Sequence, residues 1–204
     1  MIMKRILTAV LVTIFMFWSV FASEEYVTKT PLEAANFLAA EGIITDWSAN
    51  PTEYRLLDTI TRQEVMKIVA KLSGEEVPAM CDGVFWDVDT AGWGCKYIEW
   101  ALKKEYIAAN DNFRPNDNIT KTEAMKLVLK VKNISKTQVT DNWQEDYMMT
   151  AYEYGIIEAM YSDYNADATR GWIFQITTAT IEQEEEIKIK IEEKEKLMSD
   201  EAAM

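Results

Sequence analysis

Ile60-Thr61-Arg62-Gln63-Glu64-Val65-Met66-Lys67-Ile68-Val69 is repeated, with conservative changes, 59 residues later as Ile119-Thr120-Lys121-Thr122-Glu123-Ala124-Met125-Lys126-Leu127-Val128. Each stretch carries Thr-x-x-Glu. The threonine hydroxyl at such a position accepts from a backbone N–H of the first helical turn, and the glutamate reaches back to the threonine's own N–H. Thr61 with Glu64, and Thr120 with Glu123, therefore mark two helix starts. Apolar residues follow at helical spacing, Val65, Ile68, Val69, Leu72 and Ala124, Leu127, Val128, Val131, so each helix buries one stripe.

A fainter third copy, Ala168-Thr169-Arg170-Gly171-Trp172-Ile173-Phe174-Gln175-Ile176, lies 49 residues beyond the second. Thr169 keeps the cap position, but Trp172 stands where the glutamate is due, so this capping box is incomplete. Upstream of each copy is a second helical pattern that ends in an aliphatic or aromatic pair: Ile43-Ile44, Tyr106-Ile107 and Ile156-Ile157. From pair to capping threonine the intervals are 17, 13 and 12 residues, so the first copy has a longer loop. Trp93 and Trp143 each precede a tyrosine by four at the start of the upstream helix; the first copy has Thr30-Pro31 there, a cap with proline at the first helical position. A helix-loop-helix of this size cannot bury its apolar face alone, so the copies are expected to pack on one another.

The second copy in full reads Phe85-Trp86-Asp87-Val88, Trp93, a helix to Tyr106-Ile107, Phe113-Arg114-Pro115 and Ile119-Thr120-Lys121-Thr122-Glu123. This order resembles the S-layer homology repeat. The resemblance spans about residues 30–181, strongest in the second copy, with repeats at about 30–74, 82–134 and 140–181. It implies an all-α fold of three helix-loop-helix repeats in a pseudo-threefold spindle. It also implies grooves between repeats that hold secondary cell wall polysaccharide or peptidoglycan, lined by the cation of the Thr-Arg motif, the Trp before the helix and the Asp of the Phe-x-Asp motif. Transferred to this chain, the ligand-binding residues are Arg62, Lys121, Arg170, Trp93, Trp143 and Asp87.

The chemistry of such a ligand suits these residues. Acidic groups on a wall polymer pair with an Arg fork or a Lys ammonium near a helix N-terminus, and flat indoles suit sugar rings. Plainer roles stand beside these: the three cations as solvated charges or local ion pairs, the tryptophans as core, and Asp87 with Asp89 as turn residues. An EF-hand reading of Asp87 and Asp89 fails for want of the remaining ligands. The first copy has Tyr54 and Leu56 where Phe113 and Pro115 fall, which leaves its groove expected to be incomplete, and the third is expected to be structural.

Composition narrows the function classes. The chain has 21 basic and 34 acidic residues and no histidine. That balance repels phosphate backbones, so nucleic acid is not an expected partner. Without histidine there is no Ser-His-Asp or Cys-His system, no His-based metalloprotease and no completed zinc site. Only carboxylate chemistry is left to an enzyme, and no carboxylate pair stands out; we expect no catalysis, no cofactor and no metal. Cys81 and Cys95, 14 positions apart, read as one disulfide in an oxidising compartment. A metal or redox pair is disfavoured by the spacing.

Lys4 and Arg5 precede an apolar run from Ile6 to Phe21, and Val20-Phe21-Ala22 has the small-residue pattern of a cleavage site. Residues 1–22 are expected to be a secretory signal, which directs the protein to the cell surface. At the other end, residues 182–204 hold nine acidic and four basic residues, with Ile187, Ile189 and Ile191 set among them. This tail is expected to be charged and helical or disordered, continuing the third copy's helix as a stalk that frays towards Met204, and another surface protein is a candidate partner for it. The competing function is a repeat-based protein-protein adaptor of the cell surface that binds no glycan.

Overall fold

The computed structural model describes residues 28–202, and the secretory-signal expectation at residues 1–22 lies outside them. The described residues form seven α-helices: α1 Pro31–Ala40, α2 Arg62–Leu72, α3 Cys95–Lys103, α4 Lys121–Val131, α5 Trp143–Glu153, α6 Arg170–Glu182 and α7 Glu184–Ala202. A 3-10 turn, Pro51–Tyr54, lies in the long loop of the first copy. No strand occurs among them, in agreement with the all-α expectation, and no helix there is long and apolar enough to cross a membrane.

The three matched segments meet at one place. The Ile60 N–H donates to the Ala168 carbonyl at 3.1 Å, the Ala168 N–H to Ile119 at 2.8 Å, and the Ile119 N–H to Ile60 at 3.2 Å. The bonds close into a cycle, and all three residues are fully or almost fully buried. The cycle continues outward. The first free N–H of each capped helix, on Arg62, Lys121 and Arg170, donates to the carbonyl of Asp117, Ala166 and Asp58 respectively, at 2.9, 3.0 and 2.9 Å. The second, on Gln63, Thr122 and Gly171, donates to Pro115, Tyr164 and Leu56. A helix start leaves its first N–H groups without intrahelical partners. Here each copy's loop supplies those partners to the preceding copy's helix, so the chain solves a local hydrogen-bonding need by closing a ring.

Helix pairing follows the same cyclic order. α3 packs on α2, α5 on α4 and α1 on α6. The first helix of every copy therefore lies against the capped helix of the preceding copy, with the chain's first and last copies joined by α1 and α6. The apolar stripes Val65, Val69, Ala124, Val128, Ile173 and Phe174 are fully buried between them. In α6 the stripe is partly threonine, and Thr177 and Thr180 satisfy their hydroxyls on the carbonyls of Ile173 and Ile176 at 2.7 Å.

Each first helix ends alike. Gly42, Glu105 and Gly155 take φ of 69°, 59° and 76°, after which the Ile43, Tyr106 and Ile156 N–H groups return to Leu38, Ala101 and Ala151. This turn points the apolar pairs inward. The capping boxes at Thr30, Thr61 and Thr120 are complete, and at Thr169 the hydroxyl accepts from the Trp172 N–H with no return bond, as the missing glutamate requires.

The tail is helical, and its last turns are exposed. The helix is interrupted at Gln183, whose side chain donates to the Gly155 carbonyl at 2.7 Å, and the first half of α7, as far as Lys194, packs against the body. Ile187 is buried and Ile191 half-buried, four residues apart on one face, whereas Ile189 faces solvent. Lys132 pairs with Glu184 at 2.6 Å, and Lys194 donates to the Thr137 carbonyl. The alternation of isoleucines is resolved by a helix of which every second isoleucine is outward.

Candidate functional site: basic, aromatic grooves between copies

The cyclic arrangement sends the cation of each Thr-Arg position away from its own copy. Arg170 Nε donates to the Tyr54 carbonyl at 2.8 Å, and its NH1 pairs with Glu64 at 2.8 Å. Arg62 does the same one step on: Nε donates to the Phe113 carbonyl at 3.0 Å, NH1 pairs with Glu123 at 3.2 Å, and the guanidinium lies 4.9 Å from the Phe113 ring. Tyr54 thus fills the role of Phe113. Lys121 has Trp172 where a glutamate is due and pairs with Asp163 at 2.7 Å beside the Tyr161 ring. All three cations are largely buried ion-pair members.

The glutamates have two duties. Glu64 accepts from the Thr61 N–H and hydroxyl through Oε2, both at 2.9 Å, and gives Oε1 to Arg170. Glu123 divides its oxygens between Thr120 and Arg62 in the same way. The capping box that starts a helix is therefore also the acceptor that fixes the neighbouring copy's arginine.

Next to each of these pairs a lysine lies by a tryptophan. Lys67 Nζ is 5.9 Å from the Trp93 ring and Lys126 Nζ is 5.1 Å from the Trp143 ring. Neither indole is core: Trp93 is 50% exposed and Trp143 39%, each resting on Tyr97 or Tyr147 four residues on. Lys67 and Lys126 make no ion pair among the described residues. Burial holds the Lys126 ammonium below the usual lysine range, helped by Lys130 and Lys136 and opposed by Glu123. These lysines were missed by the sequence reading. Their signal was present, since they occupy the same place in the two matched segments, three residues after the box glutamate.

The first groove, lined by Arg170, Glu64, Lys67, Trp93, Trp47 and Tyr54 among others, encloses about 360 Å³. It is not incomplete as expected, because the longer first loop brings Trp47 to it. The corresponding groove of the third copy, between Ile156-Ile157, Tyr161, Trp172 and Gln175, is reduced to about 40 Å³. Trp172 occupies the glutamate's place and packs edge-on to Tyr161, and Gln175 stands where the other copies have lysine.

Asp87 sits apart from these groups. Its two oxygens accept from the Phe113 and Arg114 N–H groups at 2.8 and 2.7 Å, pinning the loop in which Arg114 takes a positive φ of 61°. Cys81 and Cys95 are joined as a disulfide, with Cα atoms 5.9 Å apart. Glu99 lies beside them, and the three ligand atoms come within 4.8 Å of one another. The sulfurs are bonded to each other, and the Glu99 carboxylate already takes the N–H groups of Asp82, Gly83 and Val84, so this grouping offers a metal little.

Residues 85–125 match the family model of the S-layer homology domain. No curated protein matches the chain. The matched span runs from Phe85 through α3 and the Phe113 loop to Met125 in α4, and so holds the motifs on which the resemblance rests. The chain carries an S-layer homology domain, a module that anchors proteins at the cell envelope, generally on wall polymers and without catalysis.

Proposed function

We propose that this chain is a secreted, non-covalent anchor that holds secondary cell wall polysaccharide or peptidoglycan in two grooves, one at Lys67 and Trp93 and one at Lys126 and Trp143. In this reading the matched domain is the middle one of three S-layer homology repeats, at about 30–74, 82–134 and 140–181. The closed cycle of hydrogen bonds through Ile60, Ile119 and Ala168 supports that count. The Cys81–Cys95 disulfide suits an exported protein.

The observation that carries the reading is the recurrence of one quartet. Arg170, Glu64, Lys67 and Trp93 recur as Arg62, Glu123, Lys126 and Trp143. In each, the arginine is neutralised by its glutamate and the lysine is left with charge to offer. An indole beside an ammonium fits a sugar ring that bears an acidic substituent. In a chain of net charge −13, such focused positive sites point to an anionic ligand.

The division of labour differs from that expected. Arg62, Arg170 and Lys121 position the grooves, Asp87 holds a loop, and Lys67, Lys126, Trp93 and Trp143 make the contacts. Binding of another surface protein through residues 182–204 has less support, because Ile187 and Ile191 are turned into the body.

Co-sedimentation with purified wall sacculi tests the reading. The protein is expected to pellet with them, and the Lys67→Ala/Lys126→Ala double variant, folded by circular dichroism, to stay in solution. Equal retention of the two rejects Lys67 and Lys126 as the ligand contacts and places the wall contact elsewhere; no retention of the wild type rejects glycan anchoring and favours the adaptor.

A further inference from the structure

A second cavity, of about 320 Å³, adjoins the first groove and shares Lys67 and Trp93 with it. That volume is within the range of about 300–1,000 Å³ common to small-ligand sites. Its remaining walls include Lys96, Tyr97, Thr90 and Cys81, and none of the residues that line it is acidic. Lys96 Nζ lies 5.1 Å from the Tyr97 ring. Like Lys67, it makes no ion pair among the described residues. Two ammonium groups without carboxylates at one cavity in so acidic a chain are a local reversal of the protein's field.

The cavity is also built to keep its shape. Cys81, on its wall, is tied to Cys95 at the start of α3, and the next three backbone N–H groups, of residues 82–84, are gathered by Glu99. A wall held in place before binding loses less freedom when a ligand arrives. The other copies lack the feature. Three residues after Trp143, in the place of Lys96, stands Asp146, fully buried and paired with Lys136.

Building on the anchoring function above, we propose that this cavity is a second glycan subsite, in which Lys96 and Lys67 take an anionic group of one sugar while the adjoining sugar lies in the groove at Trp93. The first groove then reads at least two successive units of an acidic polysaccharide, and the groove at Trp143 reads one.

The probe is wall polysaccharide released from sacculi and separated by length into single repeat units and longer fragments, titrated calorimetrically. Wild type is expected to bind the longer fragments about tenfold more tightly than single units, the gain of one charge-assisted contact. Lys96→Ala is expected to lose that gain and leave single-unit affinity unchanged, and Lys96→Arg to restore most of it. Amidation of the carboxylates in the longer fragments is expected to weaken binding at the groove and at the subsite together, and so to cost more than Lys96→Ala does. If wild type binds single units but gains nothing with length, or if Lys96→Ala behaves as wild type, the subsite is rejected and the groove stands. Binding of no fragment of any length rejects anchoring and the subsite together.

Discussion

Arg170 and Glu64, 106 residues apart in the chain, pair at 2.8 Å, and the glutamate oxygen not used by the arginine closes the capping box of the helix that Glu64 begins. One carboxylate thus starts a helix and joins the last copy to the first. Glu64→Ala removes both, and the cost is expected to be about 1–3 kcal/mol, a cap of about 1 kcal/mol plus a largely buried arginine left without its acceptor. Urea denaturation measures it. A loss below about 0.5 kcal/mol would show that the junction is an ordinary surface ion pair.

Lys126 is expected to trade stability for binding. Burial lowers its proton affinity, so its charged form is disfavoured in the folded state. The folded value lies below that of the unfolded chain, about 10.4, so at neutral pH the penalty is fully present, and it falls as pH rises through the folded value toward the unfolded one. Lys126→Met is expected to melt higher than wild type at pH 7, with the difference shrinking as the pH approaches 10. The same variant is expected to bind wall glycan about tenfold more weakly at the Trp143 groove. A variant that melts lower and binds normally would assign Lys126 to the structure.

Asp146 has the opposite sign. The Lys136 ammonium, with the Thr140 hydroxyl and N–H, holds its carboxyl below the usual aspartate range against the effect of burial. Its contribution is present above the unfolded value, near pH 3.9, and is lost as pH falls through the lower folded value. Asp146→Asn is expected to be less stable than wild type at pH 7, with the gap closing below about pH 4. Denaturation midpoints across that range read it directly, and a gap independent of pH contradicts it.

Two backbone positions give opposed expectations. A Cβ on Gly171 would lie 2.9 Å from both the Leu56 carbonyl oxygen and the Pro31 Cβ, where the α6 start meets the loop before the first capped helix and α1. Gly171→Ala is expected to cost about 1–3 kcal/mol. Glu105, exposed and left-handed at φ 59°, stands where the other copies have Gly42 and Gly155, so Glu105→Gly is expected to stabilise by about 1 kcal/mol. Thermal melting of both variants tests whether the helix ends follow one rule.

Much of this was legible in the residues. Thr61, Thr120 and Thr169 fixed three helix starts, and the apolar stripes after them fixed which faces meet. The partners of the upstream helices were not legible, since the 3.6-residue period tells which face of α1 or α3 is apolar and is silent on whether its own copy or the preceding one covers it. For the same reason the cations could be named but not placed: the sequence left Arg62 and Arg170 open between ligand contact and ion pair, and the partners, Glu123 and Glu64, lie in a neighbouring copy. Lys67 and Lys126 were hidden on helices read for their apolar faces. The interruption at Gln183 was not legible, because that residue carries no helix-breaking signal and its bond to the Gly155 carbonyl is a tertiary contact.

The central claim, that two of the three grooves hold wall polymer, is tested most directly by counting sites. Calorimetric titration of the wild type with single-unit wall glycan is expected to give two glycans per chain, falling to one in Lys126→Ala with the protein still folded. A count of three that persists in Lys96→Ala would contradict the closure of the third groove by Trp172, and a count unchanged by Lys126→Ala would place the ligand elsewhere on the molecule.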